Sequence, residues 1–114
     1  MKQAELNRLY EKAKAEYLAD IRNDNNIYYC PGCGIDCINI SIHHIIKRSK
    51  LRYFYADKRN FMELCFDCHI QAESTIDRQK KLLCYDEMEN TRELLLMEYA
   101  GLELYEQTLD FKYK

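Results

Sequence analysis

The chain has 114 residues, enough for one small domain with its own core and too few for two ordinary ones. Charged residues make up 32% and apolar residues 47%, with three glycines and one proline, which excludes a disordered chain and points to a helix-rich globular one. No apolar run approaches the roughly 18 residues of a membrane span, so no membrane association is expected.

The opening residues, Met1-Lys2-Gln3-Ala4-Glu5, do not resemble a secretory signal. The expected compartment is therefore the reducing cytoplasm, where six cysteines point to metal binding before disulfides. The net charge of −2 argues on its face against a nucleic-acid binder. Its distribution argues the other way. Between Lys47 and Arg59 lie six basic residues (Lys47, Arg48, Lys50, Arg52, Lys58, Arg59) against one acid, Asp57. From Tyr85 to Asp110 there are eight acids and a single base, Arg92. A local basic field can hold phosphates while a distant acidic face keeps the total near zero.

In chain order, Leu6, Leu9, Tyr10, Ala13, Tyr17 and Ile21 recur three or four residues apart, which predicts a helix over about 2–22 with one buried stripe. Asn23-Asp24-Asn25-Asn26 ends it, because these side chains bond their own backbone. Ile38, Ile40 and Ile42 alternate with Asn39 and Ser41, predicting a half-buried strand that runs into His43-His44. The basic stretch 47–59 shows no period and reads as a long loop. One helix is expected from Cys65 to about Lys81, and a longer one from about Asp86 to Thr108 that buries Leu95, Tyr99, Leu102, Tyr105 and Leu109. Gly101 weakens that last helix by about 1 kcal/mol relative to alanine.

Two Cys-x-x-Cys pairs, Cys30/Cys33 and Cys65/Cys68, have the spacing that lets a chain bend around one ion, and Pro31-Gly32 supports the tight turn. Four thiolates close a tetrahedral shell, so the expected ion is a structural Zn²⁺. Cys37 and Cys84 read as small apolar fillers. The only three histidines, His43, His44 and His69, lie between or beside the cysteine pairs. Neighbouring strand residues point in different directions, which suits a division of labour: one histidine on a metal, the other handling a proton.

The run Cys30-x-x-Cys33, Ile42-His43-His44-Ile45-Ile46, Arg59-Asn60-Phe61-Met62-Glu63-Leu64-Cys65-x-x-Cys68-His69 resembles the His-Asn-His (HNH) endonuclease motif in its zinc-stapled form. The similarity covers about residues 27–75. It implies an α+β fold with a ββα-metal, treble-clef-like core: two strands, a loop and a helix around one divalent ion. An N-terminal helix (1–26) and a helical C-terminal extension (76–114) would flank that core within a single domain. The resemblance also implies roles. His43 and His69 would bind the ion, His44 would be the general base, and Asn60 would brace the loop and hold the backbone and ring of His44. Longer signatures carry another histidine where this chain has Glu73, one helical turn beyond His69. Glu73 either joins the same ion, favouring Mg²⁺ or Mn²⁺, or is solvated while water and phosphate oxygens complete the shell.

These readings converge on a metal-dependent enzyme hydrolysing DNA phosphodiester bonds, similar to nucleases of bacteriophages and mobile elements, whose compartment would be the host cytoplasm. Lys47, Arg48, Lys50, Arg52, Lys58 and Arg59 would grip the DNA backbone, with Arg78, Lys80 and Lys81 either extending that track or forming a solvated helix face. Of Tyr53, Phe54 and Tyr55, at least two are expected to pack beneath the loop. The acidic C-terminal helix packs within the chain, pairs with a second copy or docks on a protein partner, the first being preferred. The rival reading is a non-catalytic zinc module that binds DNA or protein.

Overall fold

The computed structural model describes the backbone of residues 2–113 and the side chains of residues 2–106. Among these residues the architecture is mixed α+β: two short antiparallel strand pairs and four α-helices. Helix α1 (Gln3–Ile21) ends at a turn in which the Asn23 side chain accepts from the amides of Asn25 and Ile27. Strands β1 (Tyr28–Tyr29) and β2 (Asp36–Cys37) pair on either side of the first cysteine knuckle. Gly34 has a φ of 75° there, which a side chain would strain, and its amide closes the turn onto the Cys30 carbonyl at 2.7 Å.

Strand β3 (Ser41–His44) pairs with β4 (Phe61–Leu64), with His43 opposite Met62 and His44 opposite Phe61. The strand predicted from Ile38 starts later. Ile38 is 77% exposed, because the chain between β2 and β3 bends away from any partner. Alternation then holds along β3 and sorts the hairpin into two faces. Ile42 and Phe61 pack with Ala13, Tyr10, Tyr17 and Leu18 of α1. Ile45, Met62 and Leu64 face the other way, into a core shared with Cys30, Cys68, Ala72, Leu82, Cys84 and Met88. Both leftover cysteines behave as apolar filler: Cys84 is buried in that core and Cys37 packs against it.

Two short 3₁₀ turns, Arg52–Phe54 and Lys58–Asn60, break up the basic loop. Phe54 is fully buried against Ile46 and Leu95, while Tyr53 is exposed, meets Phe54 edge-on and lies tilted against Tyr99.

The single helix expected over 65–81 is two: α2 (Phe66–Ala72) and α3 (Ile76–Gln79). At Glu73 the backbone leaves the helical region, and side chains then take over the freed backbone groups. Gln79 Nε2 donates to the Ser74 carbonyl and Gln71 Nε2 to the Arg78 carbonyl, both at 2.7 Å. Ser74 and Thr75 offer the chain such alternatives to a helical ladder, so the break falls there.

Helix α4 (Tyr85–Tyr113) buries Met88 and Leu95 and half-buries Arg92 and Tyr99. The stripe predicted to continue does not. Leu102 and Tyr105 are exposed, because the core ends at Tyr99 while a helix of 29 residues extends about 43 Å; the side chain of Leu109 lies outside the described residues. The preferred expectation that this helix packs within the chain holds as far as Tyr99, and Leu102 and Tyr105 depart from it. Among the described residues, no helix is long and apolar enough to cross a membrane.

Candidate metal centres and the histidine site

Cys30, Cys33, Cys65 and Cys68 bring their four Sγ atoms within 4.8 Å of one another. Tetrahedral zinc with bonds of about 2.3 Å requires sulfurs roughly 3.8 Å apart, and Cys33 Sγ lies 3.9 Å from Cys65 Sγ. The donors therefore fit a structural ion such as zinc. The Cys65 amide donates to Cys30 Sγ at 3.2 Å. Burial opposes ionisation of Cys30, but the amides of Cys65, Cys33 and Gly32 outweigh it and bring the thiol down to about 7. Gly32 is required by close approach: a Cβ there would stand 3.0 Å from Cys68 Sγ and 3.1 Å from Leu64 Cδ2. The Gly32 carbonyl is capped by the Leu83 amide, which fastens the knuckle to the chain ahead of α4.

A second cluster forms where β3 meets α2. His43, on the inner face of β3, places Nδ1 3.1 Å from Glu73 Oε1, and His69 Nε2 lies 3.6 Å from the same oxygen. The ligand atoms of all three lie within 4.8 Å of one another. The Lys47 ammonium holds the other oxygen, Oε2, at 3.0 Å. Burial would push the Glu73 carboxyl up, but Lys47, His43 and His69 hold it below its ordinary value. His43 is 4% exposed, and burial drives its pKa down to about 4 against the pull of Glu73. It is therefore neutral at pH 7, as a metal ligand must be. Two imidazoles and one carboxylate are a chemically suitable donor set for a divalent cation, with room for further ligands in the shell.

His44 points to the opposite face. Its ring stacks on Tyr55 at 4.9 Å, meets Phe61 edge-on at 5.4 Å and lies 5.1 Å from the Tyr10 ring of α1. His44 Nε2 is 3.0 Å from the Tyr55 carbonyl oxygen. A carbonyl can only accept, so Nε2 carries the proton and the neutral ring keeps its lone pair on Nδ1. Burial lowers the pKa of His44, and the Tyr55 carbonyl offsets this in part.

Asn60 is fully buried. Its Oδ1 accepts from the Ile46 amide at 2.7 Å, and its Nδ2 donates to the carbonyls of Ile46 at 3.0 Å and Phe54 at 3.2 Å. Asn60 thus braces the loop, but through Ile46 and Phe54; the expected bond to the His44 ring is made by the Tyr55 carbonyl instead. Tyr10 and Tyr55 are neighbours of the site that motif reasoning missed. Tyr10 stood out only as one member of a helical stripe, and a carbonyl contact leaves no mark on side-chain spacing.

The basic residues divide. Lys58 pairs with Glu16, Arg59 pairs with Asp57 and Glu98, and Lys47 pairs with Glu73. Arg48 lies 5.4 Å from the centre of the Tyr55 ring, within cation–π range. Lys50 and Arg52 are exposed. Arg78 donates to Ser74 Oγ, in the turn just ahead of its own helix. No protein-family model, curated protein or solved structure matches the chain.

Proposed function

We propose that the protein is a metal-dependent endonuclease that hydrolyses DNA phosphodiester bonds on a zinc-stapled ββα-metal core of the His-Asn-His type. One observation carries the reading: His43, His69 and Glu73 converge on one face of β3, while the adjacent His44 is held in a defined tautomer on the other. A divalent ion such as Mg²⁺ or Mn²⁺ in that cluster supplies charge neutralisation at the scissile phosphate and the departing sugar oxygen. His43, His69 and Glu73 are its ligands. His44 Nδ1 takes the proton of the attacking water, and the Tyr55 carbonyl stabilises the imidazolium that results. Arg48, Lys50 and Arg52 meet backbone phosphates, an attraction that carries no base information.

The ion pairs of Lys47, Lys58 and Arg59 favour the rival, a non-catalytic zinc module, because they remove three cations from the proposed DNA surface. Plasmid nicking separates the two. Zinc-loaded protein freed of other ions should nick only after Mg²⁺ or Mn²⁺ is added, and His44→Ala should lose most of that nicking. Absence of nicking with every divalent ion tried would leave the zinc module as the reading.

A further inference from the structure

A cavity of about 450 Å³ opens beside the second metal cluster, between the Ile45–Leu51 segment and α4. Its walls are mostly apolar, with Ile45, Leu51, Ala72 and Leu96 among them, and the Tyr99 ring contributes a flat surface. The volume falls within the range of about 300–1,000 Å³ found for sites that take small organic groups.

Position decides what it would take. His43 lines this cavity and also belongs to the metal cluster. Lys47 lines it too, and holds Glu73 Oε2 at 3.0 Å. Cavity and cluster therefore share His43, and Lys47 links the one to the other. Lys50 adds a second ammonium, with no hydrogen-bond or ion-pair partner among the described residues. An apolar slot edged by ammonium groups suits a flat, weakly polar ring carried on an anionic strand. A base stacked in duplex DNA cannot offer its face to such a slot; an unpaired base can swing out and do so.

We propose that this cavity receives an unpaired base of the DNA, with Lys50 on a flanking phosphate, so that the protein prefers DNA containing a bulged or single-stranded nucleotide over fully paired duplex. The proposal rests on the reading of the chain as a DNA-acting protein.

The test is binding by zinc-loaded protein without other divalent ions, so that cleavage does not intervene. Two labelled duplexes are compared, one fully paired and one carrying a single bulged 2-aminopurine. Wild type should bind the bulged duplex about tenfold more tightly, with a saturable change in 2-aminopurine fluorescence. Leu96→Trp fills the slot from a half-exposed helix position that tolerates a larger side chain. It should abolish the preference and the fluorescence change while leaving affinity for paired duplex intact. Lys50→Ala should weaken binding of both. Equal wild-type affinities, or a preference that survives Leu96→Trp, would overturn the proposal. Plasmid nicking, measured separately, keeps the two readings apart: nicking with equal affinities refutes the pocket alone, and a bulge preference without nicking refutes the nuclease alone.

Discussion

Asn60 treats Ile46 as a strand partner: its side-chain amide returns both hydrogen bonds of that residue, accepting from the amide and donating to the carbonyl. The backbone of the same asparagine already accepts from the Ile45 amide at 2.9 Å. The β3–β4 ladder is thereby continued past His44 by a side chain. The remaining Nδ2 proton goes to Phe54, one residue before the carbonyl that orients His44.

Asn60→Ala should consequently destabilise the fold on the order of 2–4 kcal/mol, since it leaves three buried backbone groups unsatisfied. Denaturant melts would read this. A loss below about 0.5 kcal/mol would show that water replaces the amide.

His44→Ala should lower the nicking rate by about 10²- to 10⁴-fold, the usual contribution of a general base. Its zinc content and far-UV circular dichroism should match wild type. Nicking at the wild-type rate would remove His44 from the mechanism.

Gly32→Ala should weaken zinc binding about 10- to 100-fold in competition with a chelator, as displaced supporting groups do at metal sites. The added methyl meets Cys68 Sγ and Leu64, and neither can move without disturbing a ligand or the core. Unchanged zinc affinity would mean that the four sulfurs do not share an ion.

The histidines set a pH dependence. His43 titrates near 4 and His44 below its ordinary value, so both are neutral at pH 7. Between about pH 4 and 6.5 the unfolded chain binds more protons at these positions than the folded one. Stability therefore rises with pH across that window and is lost as pH falls through it. A pH–rate profile should hold level through neutrality and turn down only below pH 6.5. An acid limb at or above that value would contradict the burial of both rings.

Glu73→Ala should raise the Mn²⁺ concentration needed for half-maximal nicking, because the oxygen within reach of both imidazoles is lost. An unchanged requirement would mean that water and phosphate oxygens complete the shell without it.

The cysteine cluster was legible in the chain because paired thiols with a two-residue spacer mark it; three histidines confined to one segment drew attention to that segment, but the grouping of His43, His69 and Glu73 came only from the resemblance. Elements defined by burial alone were not legible. Phe61 and Met62 are adjacent apolar residues on opposite faces, so β4 shows no clean alternation, and only the resemblance supplied a second strand. The arrest of α2 at Glu73 arises from hydrogen bonds between residues five and seven positions apart, which no apolar period encodes. Ile38 kept the strand pattern without a strand to pair with. The apolar stripe of α4 continues as a pattern beyond Tyr99, but exposure depends on how far the rest of the chain reaches.

His43 and His44 have different surroundings because they are neighbours on a pleated ribbon whose alignment is pinned opposite Met62 and Phe61. Sliding that ribbon by a single position would exchange their surroundings, sending the buried imidazole among the tyrosines and the stacked one toward Glu73. A one-residue slip of that ribbon leaves all three histidines in the chain, yet it should abolish the proposed nicking as thoroughly as removing one of them.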